Sequence, residues 1–344
     1  MTTTRDAAPA IVTRGLTRHF TVKKQTVEAV RGLDLEVGAG ELVAFLGPNG
    51  AGKSTTLRML TTLIAPTAGT AEVAGHDVVR DQRAVRRSIG FVGQGNGAGL
   101  QQRGRDELVS QGRAYGLSKA DAIDRADLLV RDLDLTEVAD RVVSTLSGGQ
   151  RRRLDIALGM VHEPGVLFLD EPSTGLDPQN RANLQEQIRR LHEERGTTIV
   201  LTTHYLEEAD ALARRVIVID HGLVIADDTA SRLKSELGDL VTLGFGSSDH
   251  AAVAAERASR RTPDATVTRD GDVVSLRVAR GVELAAGIVT DLAATGVPVS
   301  RMQVVGPTLD DVFLHLTGRS LREDGGAEQA EATESSTVLE GAAA

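Results

Sequence analysis

Apolar and polar residues alternate from Ile11 to Val37, with Ile11, Val12, Leu16 and Phe20 in a first run and Val27, Ala29, Val30, Leu33, Leu35 and Val37 in a second. Alternation sends successive side chains to opposite faces, which predicts two antiparallel strands with a turn at Lys23-Lys24-Gln25. The pattern then changes. Leu42 to Leu46 is a continuous apolar run, the mark of a strand covered on both faces, and Thr56 to Leu63 reads as a helix. Thr70 to Val79 reads as an edge strand, and Ile89 to Val92 as a buried one ending at Gln94. Gly95 to Gly99 is a glycine-rich loop. Arg105 to Tyr115 and Lys119 to Leu133 carry helical periodicity, with Leu117-Ser118 supplying a cap. We read a helical insert at about 95–145, closing at Leu146, after which Ser147 caps a helix running through Met160.

Beyond Pro164 come the apolar strand Val166–Leu169, a helix from Pro178 to Glu194, a strand Thr197–Leu201, a helix Tyr205–Ala213 and a strand Val216–Ile219. Strand and helix in alternation predict a parallel sheet with helices on both faces. From Asp239 the order restarts as strand Leu240–Phe245, helix Ala251–Ser259, strands Ala265–Thr268 and Val273–Val278, helix Val282–Ala294 and strand Val299–Val304. That β-α-β-β-α-β order is the ferredoxin-like plan; a last helix, Leu309–Leu316, follows. The expected organisation is a loose N-terminus over 1–10, an α/β domain over 11–238, a small α+β domain over 239–320 and a disordered acidic tail over 321–344.

Composition narrows the function. The chain has 344 residues, enough for two domains, and is 41% hydrophobic and 25% charged, which is globular. No apolar run approaches the ~18 residues that span a bilayer, and Met1 to Ala10 lacks a signal-peptide core. We therefore expect a cytoplasmic protein. The absence of cysteine excludes disulfides and thiolate chemistry. Most of the net charge of −9 comes from Glu323, Asp324, Glu328, Glu331, Glu334 and Glu340, and an acidic tail does not suggest nucleic-acid binding.

The chemistry centres on Gly47-Pro48-Asn49-Gly50-Ala51-Gly52-Lys53-Ser54-Thr55. This is G-x-x-x-x-G-K-[ST] between a strand and a helix, a phosphate-cradling loop. The glycines let backbone N–H groups close on a phosphate, and the helix adds its positive end. Lys53 can reach the β- and γ-phosphates of a nucleotide, and Ser54 can ligate Mg²⁺. Asp170, ending Val166–Leu169, fits the role of holding Mg²⁺. Glu171 faces another way and can orient or deprotonate the attacking water; alone it would equally be a surface carboxylate. Gln94, at another strand end, could touch Mg²⁺ or the water, or be a plain loop residue. His204 ends Ile199–Thr203 and can bond a γ-phosphate, and these strand-end groups converge on the crevice where α/β sheets bind ligands.

Leu146-Ser147-Gly148-Gly149-Gln150 opens a second helix with an anion-binding terminus. One γ-phosphate does not need two such sites, so the second suits a partner's nucleotide. Arg151-Arg152-Arg153 reads by preference as a solvated helix face. With no Trp, two Tyr and six Phe, Phe20 is the best candidate to stack on adenine, against core packing as its ordinary role.

These motifs resemble those of the ATP-binding subunits of ABC transporters, over roughly Ile11 to Leu237. They are the Walker A run Gly47–Thr55, Gln94, the signature Leu146–Gln150, the Walker B run Val166–Asp170 with Glu171, the D-loop Ser173-Thr174-Gly175-Leu176-Asp177 and the switch His204. The resemblance implies ATP and Mg²⁺ as cofactors and a head-to-tail homodimer. In it Ser147, Gly148, Gly149 and Gln150 grip the opposite subunit's ATP, and Asp177 links the two sites. It also implies a separate transmembrane permease that holds the subunit on the cytoplasmic face of the membrane. His162-Glu163-Pro164, Tyr205-Leu206-Glu207-Glu208-Ala209-Asp210 and Pro307 to Phe313 resemble the daunorubicin/doxorubicin-resistance branch, which implies export of a hydrophobic compound. Gly95 to Glu107 departs from that branch in the region that would touch the permease.

Two other readings differ in class. Soluble ABC proteins of translation usually carry two ATP domains per chain, and repair ATPases carry long coiled coils; this chain has one P-loop and no sustained heptads. A drug-sequestering protein would want an aromatic pocket, and aromatics are 2% of the chain. The second domain offers no catalytic constellation; dimer contact or regulation is its expected role.

Overall fold

The computed structural model describes residues 8–22, 25–95, 97–263 and 265–318. Of the expected turn at Lys23-Lys24-Gln25, Lys23 and Lys24 lie outside them, while Gln25 is described and already belongs to a strand; the expected disordered tail at 321–344 and most of the expected loose N-terminus also lie outside them. Ala10 is described, and it is not loose: it is buried, its N–H donates to Val37 and its carbonyl accepts from Ala74.

The chain divides into two compact units, Met1–Asp227 and Asp228–Ala344. In the first, β1 (Ile11–Val22) and β2 (Gln25–Val37) pair antiparallel. The predicted alternation is visible in β2, where Leu33, Leu35 and Val37 are buried and Asp34 and Glu36 exposed. There follow β3 (Leu42–Leu46) and α1 (Lys53–Leu60). The helix begins earlier than Thr56 because Gly52, at φ 103°, turns the chain directly into it. The expected edge strand over Thr70–Val79 is instead two strands, β4 (Ala68–Val73) and β5 (His76–Asp77). Ala74 and Gly75, both at positive φ, fold it into a hairpin. This sheet has the order β2-β1-β4-β5.

Next come α2 (Gln82–Ser88), which the pattern did not predict, and β6 (Ile89–Val92). The insert holds α3 (Gly104–Ala114) and α4 (Lys119–Asp132), the latter capped by Ser118 as expected. The remaining elements are α5 (Gly148–Met160), β7 (Val166–Asp170), α6 (Pro178–Arg195), β8 (Thr198–Thr203), α7 (Leu206–Leu212), β9 (Arg215–Asp220) and β10 (Leu223–Thr229). β10 also escaped the sequence reading. The turn His221-Gly222, at φ 47° and 77°, folds it back beside β9.

The six-stranded sheet has the order β10-β9-β3-β8-β7-β6, and β9, β3, β8, β7 and β6 are mutually parallel. One cluster joins the two sheets: Val43, Phe45, Phe168 and Val200 of the parallel sheet meet Leu33, Leu35 and Val73 of the antiparallel one and Leu57 and Met59 of α1. Burying a residue such as Phe45 contributes about 1.5–3 kcal/mol. On β6, a Cβ at Gly90 would lie 2.2 Å from the Gly159 carbonyl oxygen of α5. Glycine there lets α5 ride close to the sheet.

The second unit begins before the predicted boundary of 238. α8 (Ala230–Leu237) packs on α11 (Leu309–Thr317), so it belongs to this unit and not to the first. Between them lie β11 (Asp239–Phe245), α9 (Ser248–Arg261), β12 (Thr266–Asp270), β13 (Val273–Val278), α10 (Gly281–Ala294) and β14 (Val299–Val305). The sheet order is β12-β13-β11-β14 with every neighbouring pair antiparallel. Val241, Leu243, Phe245, Leu276, Ile288 and Leu292 form its core. Among the described residues, no helix is long and apolar enough to cross a membrane.

Candidate functional site

Parallel pairing puts the carboxyl ends of β3, β6, β7 and β8 on one edge of the sheet, the edge where such sheets bind ligands. The loop Gly47–Gly52 leaves β3 there. A Cβ at Gly52 would come 2.4 Å from the Ala29 carbonyl oxygen, so no larger residue fits this tight turn. Gly47, Pro48, Ala51 and Gly52 are buried, Asn49 and Gly50 are exposed at the tip, and Ser54 and Thr55 are half-buried in the first turn of α1. Lys53 is buried with its Nζ donating to the Gly47 and Pro48 carbonyls at 2.6 and 2.9 Å. Burial lowers its pKa, while the charges of Glu171 and Asp170 oppose the shift.

Asp170 is buried at the end of β7. Its Oδ1 accepts from Ser54 Oγ at 2.7 Å and from Thr202 Oγ1 at 2.7 Å. Gln94, exposed beyond β6, reaches Ser54 Oγ with its amide at 3.4 Å. Glu171 has φ 47°, a left-handed conformation that costs a non-glycine residue about 1–3 kcal/mol. Its N–H is held by Thr202, through Oγ1 at 2.9 Å and the carbonyl at 3.2 Å. Its Oε1 lies 3.4 Å from His204 Nδ1, an ion-pair separation without the alignment of a hydrogen bond, and its Oε2 accepts from Thr174 at 3.2 Å. Burial acts to raise the Glu171 pKa, but contact with His204, Lys53 and Thr174 outweighs it, and the net shift is downward.

Lys53, Ser54, Gln94, Asp170, Glu171 and His204 are thus brought together from four strand ends. Ser147–Gln150, Asp177 and Phe20 are placed elsewhere. Ser147 caps α5 and shares a capping box with Gln150. Ser147 and Gly148 are exposed, and the neighbours of Gly148 and Gly149 are Leu176 and Asn180 on the segment after β7. Asp177 is exposed and caps α6 by accepting from the Asn180 N–H at 3.0 Å. Phe20 does not join the core; it is half-buried on β1 with the Arg18 guanidinium carbon 4.6 Å from its ring centre.

Arg152 corrects the sequence reading of a solvated helix face. It is buried and donates to three carbonyls: Pro172 at 2.8 Å, Gly93 at 2.6 Å and Asp170 at 3.1 Å. One side chain of α5 therefore ties together the chain before Gln94, the end of β7 and the segment after Glu171. A run of three arginines gives no hint of this, because the inward one is chosen by helix rotation against the sheet. Thr202 was also missed. Its signal was present in the threonine pair that follows the apolar run Ile199–Leu201.

The sequence pattern of the ABC transporter family matches residues 30–174. The daunorubicin resistance ATP-binding protein DrrA3 of Streptomyces coeruleorubidus is 43% identical over 92% of this chain and 98% of its own length. The chain belongs to the ABC transporter ATP-binding proteins. A second relative, the daunorubicin/doxorubicin resistance ATP-binding protein DrrA of Streptomyces peucetius, is 44% identical over 94% of this chain and 96% of its own length. Among solved structures, the dimeric post-hydrolysis state of the ATP-binding cassette MJ0796 bound to ADP and Pi superposes with a TM-score of 0.59 at 25% identity. That match covers 64% of this chain and 98% of the cassette. The first unit is accordingly an ABC ATPase with a P-loop fold, and its activity is ATP hydrolysis coupled to transport.

The site residues suit a hard divalent cation beside the phosphates. Ser54 Oγ and Asp170 Oδ1 already meet at 2.7 Å, and the Gln94 amide lies next to them. Oxygen ligands of this kind are those Mg²⁺ prefers.

Proposed function

We propose that this chain is the ATP-binding and hydrolysing subunit of an exporter, powering efflux of a hydrophobic, drug- or antibiotic-like compound through a separate membrane permease. The convergence of Lys53, Ser54, Asp170, Glu171 and His204 at the ends of β3, β7 and β8 carries the ATPase part of this reading. The resistance relatives support the cargo class.

In this reading Gly47–Thr55 wrap the phosphates, and Lys53 exchanges the Gly47 and Pro48 carbonyls for β- and γ-phosphate oxygens. Ser54 and Asp170, with Gln94, would hold Mg²⁺, which when bound would neutralise phosphate charge. Glu171 is turned away from that pair by its left-handed backbone and accepts the proton of the attacking water. His204 holds the Glu171 carboxylate and bonds the γ-phosphate. Ser147, Gly148, Gly149 and Gln150 lie exposed at a helix start, as needed to grip the ATP of a second copy, and Asp177 joins the two sites across a head-to-tail dimer. Phe20, clear of the core, stacks on adenine. We read the second unit as ferredoxin-like, on the strength of its strand order, and as a site of dimer contact or regulation. The subunit acts on the cytoplasmic face of the membrane.

The test is a pull-down from detergent-solubilised membranes of the native host, with the partner identified by mass spectrometry. Recovery of one polytopic membrane protein supports the reading; ribosomes, nucleic acid or no membrane partner overturns it.

A further inference from the structure

A groove of about 570 Å³ runs between α9 and α10 of the second unit. Its walls hold Arg257, Arg260 and Arg261 of α9 and Asp291 of α10, and it reaches down to the core residues Ile288 and Leu292. Three guanidinium groups thus share the groove with one carboxylate. All three arginines are exposed. Arg260 pairs with Glu256, one turn earlier on its own helix, and Arg261 pairs with Asp291. Each pair is made through a single nitrogen, Nη2 of Arg260 and Nη1 of Arg261, whereas a guanidinium carries about five N–H donors. Arg257 makes no side-chain hydrogen bond or ion pair among the described residues. The groove therefore keeps donors that its own carboxylates do not use.

The volume and the charge decide what can enter. A single water takes about 30 Å³, so the groove is far larger than a lone inorganic anion needs. Its arginines disfavour a cation. It suits a ligand that brings several carboxylates at once, and the chain carries one. Residues 319–344 follow α11 in the same unit and lie outside the described residues. From Glu323 onward they include Glu323, Asp324, Glu328, Glu331, Glu334 and Glu340 and no Lys, Arg or His. Glu328, Glu331 and Glu334 recur at every third position, and Arg257, Arg260 and Arg261 fall within little more than one turn of α9. Reach is sufficient. From Gly318 the chain can extend about 33 Å to Glu328 and about 53 Å to Glu334, while a compact unit of about 90 residues has a radius of gyration of about 12 Å. Tethering also sets an effective concentration on the order of 1 mM, so weak ion pairs acting together are enough to hold the segment.

We propose that the acidic segment Glu328–Glu334 of this chain docks in the groove between α9 and α10, where its carboxylates accept from Arg257, Arg260 and Arg261. The contact lies wholly within the second unit and does not depend on the transport reading. In it the tail covers the basic groove and shields it from other acidic partners. Because exposed ion pairs hold it, salt releases it.

The chain has no cysteine, so Ala330→Cys in the full chain takes a single nitroxide label, whose motion is read by electron paramagnetic resonance at low salt. The label should tumble with the folded unit. Arg257→Glu combined with Arg260→Glu should release it and shorten its correlation time about tenfold. Arg261 is kept, because through Asp291 it ties α9 to α10. Glu328→Arg with Glu331→Arg and Glu334→Arg, which leaves α9 untouched, should release the label equally. All five substitutions together should restore slow motion, which a misfolded unit would not do. In the otherwise unaltered chain, about 1 M salt, with a Debye length of about 3 Å, should give the same release. A label already mobile at low salt overturns the proposal. So does a label that stays slow after either set of charge reversals, since the tail is then held elsewhere.

Discussion

Replacing Arg152 with Gln tests whether a buried guanidinium holds the catalytic edge together. Arg152 donates to the carbonyls of Pro172, Gly93 and Asp170, all within 3.1 Å. A shorter glutamine amide reaches at most one of them. At least two of the three carbonyls then lose this donor, one of them buried, at about 1–3 kcal/mol each. Removing the guanidinium recovers part of its desolvation, the same burial that lowers its pKa, so the net loss should be about 3 kcal/mol. Arg153→Gln is the control, because Arg153 is only half-buried; its loss should stay within about 1 kcal/mol. The assay is the shift in urea midpoint at constant slope, read with the ATP turnover rate. Turnover should fall more than tenfold in Arg152→Gln, since Gly93 and Asp170 flank Gln94 and Glu171. Equal, small losses for the two variants would refute the reasoning.

Glu171→Gln should still bind ATP but turn over about one hundred- to ten-thousandfold more slowly, and accumulate as an ATP-dependent dimer in light scattering; unimpaired hydrolysis would sink the base assignment. Ser147→Arg should abolish hydrolysis while equilibrium binding of nucleotide to the monomer stays nearly intact, and lost binding would argue against a signature acting in trans. The lowered Glu171 pKa keeps the base ionised, and turnover present, down to pH values below the ordinary 4.5. Turnover is lost as pH falls through that lowered value. His204→Ala removes the main lowering contact, so the acid limb of the residual pH–rate profile should move to higher pH; an unmoved limb would disconnect His204 from Glu171.

The linear sequence determined the parts whose chemistry is local. Gly47–Thr55 could be read because glycines, a lysine and a hydroxyl at fixed spacing between a buried strand and a helix leave few alternatives. Asp170, Glu171 and His204 could be read because a polar residue ending an apolar strand has a fixed place in a parallel sheet. The caps at Ser118 and Ser147 follow from residue type alone. What the sequence could not settle depends on contacts between distant segments. β5 and β10 are short or polar edge strands, made by two-residue turns rather than by their own pattern. α8 joins the second unit because its partner α11 lies more than seventy positions further on. Arg152 looks like a surface charge in a polar run. It becomes the clasp only because Gly90 and Gly159 let α5 approach the sheet closely enough to carry it inward. Local propensity and spacing fix which elements form; tertiary packing fixes which of their faces is buried, and a charge gains its role from the face it lands on.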